Sequence, residues 1–552
     1  MSLGRWCVAV LCLGLAVPAA SQQARGPDIV VSSQIGKKKQ SITWKRAESE
    51  HVVVFSQGSD EELVRVSRNL ERLYHLMSRI YRRGDQSDAT AKVQVTLIDS
   101  GADFRAMGLD NLRSREGPYI NAFTDAAYYD PREDGAVIAV SRASQIVDLN
   151  TNRAYNLDCD DQMAEGVPDC IVTYRYPALQ TWQQRLYAAY ARHFLQTYAP
   201  AAYPRWYLDG VGVLFSTLTV RANGSLDYAQ PPENYGPVFR AYGNLDVRNI
   251  LTGRYLDAAP DKRGWTPYHA WLLTHYFVMS PLKPDRARQF QAYMTAISRG
   301  EPMAEAAKAF GDMGALQRDV FSYIGRNKLF ARTERETATE EPLISVLSPA
   351  AAAMVPVRLE LGARLAADDP QAVLRRDGWI AQLRDTVAKL PYDTEAELVL
   401  TEAECRAGHA VECQADAQRV LAASPDNVRA LAWKGVALTD RALTGAPADR
   451  AARLILARAA IERAIALDDD APLPLIAWFE SYARAGEPVP DAAMAGMAKV
   501  IRAVPAAPAP RLYLAEELQR QGKSDVAQRL VDIVRYGAYD SPEKQIAVNL
   551  FK

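Results

Sequence analysis

Pro391 and Pro425 stand 34 residues apart, as do Asp393 and Asn427, and again Pro474 and Pro508. A spacing that returns this way marks a repeating unit. The gap from Pro425 to Pro472 is 47 residues, which an insertion of 13 residues around Thr444–Arg450 explains. Segments such as RLYLAEELQRQGKSDVAQRLVDIV supply paired helices within these units. A single helix pair cannot bury its own apolar face, so such pairs must stack on their neighbours. Residues 347–552 are alanine-rich and are predicted to be all helical. A stack of this kind is a binding or scaffolding surface rather than a catalyst. A generic helical solenoid without true repeats is the other reading.

The remaining residues are too many for one core, and a chain of 552 residues implies several domain-sized units. The charge is nearly balanced, with 65 basic and 66 acidic residues. No basic surface for nucleic acid is expected. Residues 1–21 run from Arg5 through an apolar stretch, Trp6 to Val17, into Pro18-Ala19-Ala20-Ser21. This pattern is that of a secretory signal peptide cleaved near residues 19–21. The mature chain is therefore expected to be exported, periplasmic or secreted. No later stretch is long and apolar enough to predict a transmembrane helix.

Residues 22–50 are polar and read as a flexible lead-in. His51–Phe55 reads as a strand. Asp60–Arg83 reads as a helix, because Leu63, Val66, Leu70, Leu73, Met77 and Ile80 recur at spacings of three and four. Val93, Val95 and Leu97 alternate within a second strand, Ala91–Asp99. Tyr119–Tyr129 and Ala136–Val140 read as further strands joined by a polar turn. Leu179–Tyr198 keeps a helical apolar set in Leu179, Trp182, Leu186, Tyr190 and Phe194. Asp209–Leu218 reads as the next helix, antiparallel to it, and residues 267–330 continue as helices. The charged stretch 331–346 reads as a linker.

The segment from Ala188 to Ser216, AAYARHFLQTYAPAAYPRWYLDGVGVLFS, resembles the core of the gluzincin, or peptidase-MA-like, zinc peptidases. That family reads roughly HEYAHHF…YPxWxxEGxAEYFS. Tyr190, His193-Phe194, Tyr203-Pro204, Trp206, Gly210 and Phe215-Ser216 keep the frame. The resemblance covers about residues 50–330 and implies an α+β zincin-like N-terminal domain, a mixed sheet plus helices, over 51–330. In such folds an edge strand beside the cleft can hold an extended peptide. The family's two histidine ligands fall on Ala188 and Arg192, its general base on Ala189 and its third ligand on Asp209. Alanine has no donor atom, and arginine does not give up its proton. A zinc hydrolase needs about three protein ligands, so no metal, no cofactor and no catalytic residue are expected. Tyr190, Arg192, His193, Asp209 and His275 are the candidate cleft residues. A guanidinium at Arg192 could fill the volume of the lost cation and pair with Asp209; the other reading points Arg192 to solvent. The helical segments of 347–552 resemble tetratricopeptide units, whose period is 34 residues.

Other chemistry finds little support. His269 and His275 are six residues apart and share no helical face well. Asp148, Asn150 and Asn152 lack the glycine and closing glutamate of an EF-hand loop. Cys7 and Cys12 would leave with the signal. Cys159 with Cys170, and Cys405 with Cys413, read as two local disulfides in an oxidising compartment; a four-cysteine metal site is the alternative. The expected function is an exported pseudo-peptidase that binds a protein or peptide through its cleft and repeats. An active hydrolase with a rearranged site is the alternative, and a pure repeat scaffold with the front domain as a cap is a third.

Overall fold

The computed structural model describes residues 43–81, 90–109, 121–150, 152–156, 177–221, 223–233, 235–236, 239, 245–324, 332–334, 340–364 and 370–552. The expected signal lies outside the described residues.

The strands are β1 (Lys45–Glu48), β2 (Val52–Ser56), β3 (Val93–Ile98), β4 (Tyr128–Arg132), β5 (Gly135–Ser141), β6 (Gln145–Asp148), β7 (Arg153–Asn156), β8 (Pro177–Gln180), β9 (Thr219–Val220), β10 (Leu226–Tyr228), β11 (Arg332–Glu334) and β12 (Leu343–Val346). Six of them form a mixed sheet in the order β12-β1-β2-β3-β5-β4. The three central strands, β2, β3 and β5, are parallel, and the flanking pairs are antiparallel. The N-terminal helices are α1 (Asp60–Ile80), α2 (Gly101–Ala106), α3 (Trp182–Tyr198), α4 (Arg205–Ser216), α5 (Val247–Leu251), α6 (Thr266–Met279), α7 (Pro284–Ser298), α8 (Met303–Ala306) and α9 (Met313–Ile324).

Helix α1 starts where Ser59 accepts a hydrogen bond from the Glu62 amide, with Asp60, Glu61 and Glu62 in the positive first turn. Its stripe of Leu63, Val66, Leu70, Leu73 and Met77 is buried with the sheet and with α3, α4 and α6 in one large core. Strand β2 is buried at every residue. Helix α1 covers one of its faces; α10 (Pro349–Arg364) covers the other, where Val355 packs on Val53 and Phe55. A strand enclosed on both faces reads as an unbroken apolar run, which explains VVVF.

The C-terminal part is helical throughout its described residues after β12. Beyond α10 come α11 (Pro370–Ala388), α12 (Thr394–Ala407), α13 (Ala410–Ala423), α14 (Val428–Thr444), α15 (Arg450–Leu467), α16 (Pro472–Ala483), α17 (Asp491–Ala503), α18 (Ala509–Arg520), α19 (Ser524–Arg535) and α20 (Pro542–Leu550). The 34-residue echo has a physical basis. Asp393 caps α12 and Asn427 caps α14, each through its side-chain oxygen. Cys405 and Cys413 are disulfide-bonded, with 5.0 Å between their Cα atoms, and tie α12 to α13. The insertion is taken up partly by longer helices, α14 and α15 having 17 and 18 residues against 14 and 14 in α12 and α13, and partly by the turn between them, which carries a 3-10 turn at Pro447–Asp449.

Several expectations are corrected. Of the two expected disulfides, the structure carries the one between Cys405 and Cys413. The expected Cys159–Cys170 pair lies outside the described residues. The lead-in 22–50 ends in β1, and the linker 331–346 contains β11 and β12; both β1 and β12 belong to the main sheet. Short, partly exposed strands like these gain their order from partners distant in sequence. The strand expected from Tyr119 begins only at Tyr128. The helix expected from Leu179 begins at Trp182, because Leu179 lies in β8 and a capping box of Thr181 and Gln184 sets the start. Among the described residues no helix is long and apolar enough to cross a membrane.

Candidate functional site

Helices α3 and α4 meet where the sequence pointed. Most of α3 is buried, and every residue of α4 is. Gly212 of α4 lets them approach closely. A Cβ there would lie 3.3 Å from the Ala188 carbonyl, 3.6 Å from the Ala188 Cβ and 3.7 Å from Arg192 Cδ. Ala188 and Arg192 therefore face α4.

The charges at this crossing form a chain of four. Arg205 Nε donates to both oxygens of Asp209, at 2.9 and 3.0 Å. Arg205 Nη2 donates to Asp125 Oδ1. Arg192 Nη1 reaches the same oxygen at 3.4 Å, while its Nη2 donates to the Thr124 carbonyl at 2.6 Å. The other oxygen of Asp125 accepts from the Asn121 amide at 2.7 Å. All four charged side chains are at least nine-tenths buried. Two guanidiniums and two carboxylates sum to zero, and this neutrality is what makes burial tolerable. Burial lifts the Asp209 carboxyl above its ordinary range, against the pull of Arg205. Arg192 and Asp209 are thus joined through Asp125 and Arg205, not in a direct pair.

The other candidates are placed as follows. Tyr190 is fully buried in the core. His193 is buried with its Nδ1 3.1 Å from the Tyr129 hydroxyl and 3.2 Å from Thr197 Oγ1. Burial pushes its imidazole down to about 3, so the ring is neutral. His275 Nδ1 lies 2.7 Å from the Tyr323 hydroxyl, within the packing of α6 on α9. His269 is held edge-on by Trp265, with ring centres 4.6 Å apart. Among the described residues, no three His, Cys, Asp or Glu side chains converge as metal ligands.

Above the crossing the C-terminal helices fold back onto the N-terminal part. The segment between α19 and α20 straps across it. There Tyr539 lies beneath Arg205, with the guanidinium 4.7 Å from the ring centre, and the Tyr539 hydroxyl is 3.4 Å from Arg192 Nη1. A cavity of about 480 Å³ remains between the two parts. Its walls come from β4, α3, the loop before α18 and the strap. Of the five candidate cleft residues, Arg192 lines it; Ala189 lines it too. Strand β4 is the outer strand of the sheet on this side. The β4–β5 turn also reaches the helical part: Glu133 meets Arg406 at 3.5 Å and the Tyr513 hydroxyl at 3.4 Å.

Asp125, Arg205 and Tyr539 are not among the candidates read from the sequence. Arg205 and Asp209 have a legible signal, an Arg–Asp pair four residues apart on one helix. Asp125 and Tyr539 have none, because each reaches the site from a segment far away in sequence.

No protein-family model matches the chain. No curated protein gives a significant match. Among solved structures, the chain is similar to a thermophilic TPR protein of Thermus thermophilus, at 20% identity and a TM-score of 0.29, over 33% of this chain and 92% of that one.

Proposed function

We propose that this chain is a non-catalytic protein that binds peptides or proteins, built from a gluzincin-like lobe without its metal and a tetratricopeptide-like helical stack folded over it. Residues 1–21 would export it. The observation that supports this reading is the buried chain Arg192–Asp125–Arg205–Asp209. In a zinc hydrolase, neutral or anionic donors converge on a cation and leave one position open for water. Here guanidinium groups carry the positive charge, and the side chains they meet are carboxylates already paired with them. Arginine cannot act as a general base. What the surroundings offer instead is a cavity of about 480 Å³ beside the outer strand β4, with helices closing it from above. A sheet edge beside a cavity suits an extended segment held by main-chain hydrogen bonds.

The test uses the purified full-length protein in three measurements. Elemental analysis reports zinc, a casein digest with and without chelator reports hydrolysis, and a peptide array reports binding. The expected result is retained peptides, no stoichiometric zinc and no chelator-sensitive cleavage. Stoichiometric zinc with cleavage abolished by chelator overturns the proposal, as does an array that retains nothing.

A further inference from the structure

The charges on the cavity wall are mostly satisfied within the protein. Arg132 is paired with Asp130 at 2.8 Å, Arg192 with Asp125, and Arg406 with Glu402 at 2.9 Å. Arg511, at the start of α18, is different. Its Nη2 donates to the Pro505 carbonyl at 3.3 Å, and it forms no ion pair among the described residues. A guanidinium has five N–H donors, so most of its capacity is left to whatever enters the cavity. Burial lowers its pKa, which is the mark of a cation removed from water without a compensating anion. Glu543 of α20 lines the same cavity and likewise forms no ion pair among the described residues. A carboxylate in the same enclosure disfavours a multiply charged anion such as a phosphate, and favours a single carboxylate.

The remaining wall fits the rest of such a ligand. Tyr203, Leu208, Leu361, Ile533 and Val534 contribute apolar surface, and β4 contributes a strand edge. A cavity of about 480 Å³ lies in the lower half of the usual range for ligand sites. It accommodates the end of a chain more readily than its middle. Of the two ends of a peptide, the C-terminal one is the anion. We propose that the cavity captures the C-terminal carboxylate of a short peptide, with Arg511 as its anchor. This proposal rests on the peptide-binding reading above and adds the end of the peptide that is recognised.

The test is equilibrium dialysis of the full-length protein against a pool of random tripeptides, made once as free acids and once as C-terminal amides, read by mass spectrometry. The wild type is expected to retain the acids about tenfold better than the amides, the value of a charge-assisted hydrogen bond. Arg511→Gln should bring that ratio to about one. Arg511→Lys keeps the charge, is expected to keep part of the preference, and shows that the cavity is intact. Acids and amides retained equally by the wild type overturn the Arg511 proposal and leave peptide binding standing. Failure to retain either form overturns the peptide-binding reading itself. Decanoate retained in place of the tripeptides, with sensitivity to Arg511→Gln, overturns a peptide as the source of the carboxylate.

Discussion

The Arg205 guanidinium stacks over the ring of Tyr539, 4.7 Å from its centre, and so links the buried ion network of the N-terminal part to the strap near the end of the chain. A partly desolvated cation–π contact contributes about 1–2 kcal/mol. Tyr539→Ala should weaken docking of the strap by about 2–3 kcal/mol once lost ring burial is added. Tyr539→Phe should cost less than Tyr539→Ala, because it keeps the ring beneath Arg205 and gives up a long hydroxyl contact with Arg192. Hydrogen exchange at residues 537–540 reads the difference. Equal protection in wild type and Tyr539→Ala would show that the strap is held elsewhere.

Arg205 bonds both aspartates of the network. Arg205→Ala leaves Asp209 buried and without its cation, and should cost about 3–5 kcal/mol. The double change Arg205→Met with Asp209→Leu removes charge from both sides and should cost less than the single one. Asp125 then keeps Arg192. Urea unfolding of the two variants checks the order. A loss below about 1 kcal/mol for Arg205→Ala would mean that water reaches the site and screens it.

The two glycines of α4 differ in what surrounds them. A Cβ on Gly210 would overlap the Ala270 carbonyl and Thr274 Oγ1 of α6. Gly210→Ala should push α4 from α6 and cost about 2–4 kcal/mol, as overpacking and backbone shifts do. A Cβ on Gly212 would meet the Ala188 carbonyl at 3.3 Å, tight but tolerable after a small shift. Alanine also gains about 1 kcal/mol of helix propensity over glycine, so Gly212→Ala should lie within about 1 kcal/mol of the wild type. Melting temperatures of the pair decide whether the α3–α4 or the α4–α6 contact is the tighter one.

Buried His193 and half-buried Glu480 give the stability opposite pH dependences. Burial lowers His193 to about 3, whereas an unfolded histidine titrates near ~6.5. The unfolded chain takes up the proton first, so this contribution is present above ~6.5 and is lost as pH falls toward about 3. Burial raises Glu480 to about 7, against the pull of Arg484, whereas an unfolded glutamate titrates near ~4.3. This contribution is full below ~4.3 and is lost as pH rises through about 7. His193→Gln should flatten the acid side by about 1.4 kcal/mol per pH unit between pH ~6 and ~4. Glu480→Gln should raise stability at pH ~8 and leave pH ~4 nearly unchanged. Urea midpoints across that range read both effects; an unchanged alkaline limb in Glu480→Gln would show that Arg484 already neutralises the glutamate.

What the sequence reveals here depends on how local the cause is. The α1 stripe and the β3 alternation are each decided within one continuous segment, and both are legible. The start of α3 is written in Thr181 and Gln184, but the apolar Leu179 obscures it by extending the helical spacing. Strand β1, KRAE, favours no structure strongly and is held between β2 and β12; β12, LISV, has strand-forming residues but is only four residues long in a charged stretch. The site divides the same way. Arg192 and Asp209 can be found from one continuous segment. Asp125, which joins them, stands in a turn within a stretch that reads from the sequence as strand. Tyr539 arrives only because the helices fold back.

Strand β12 has a further consequence. It leaves the sheet and leads directly through Leu347 into α10, which covers the sheet's second face. A fragment stopped at residue 330 keeps α1 through α9 yet exposes the β1 edge and bares Val53 and Phe55. Such a fragment should be sticky, and adding a separate piece that begins before Leu343 should restore its solubility by strand exchange.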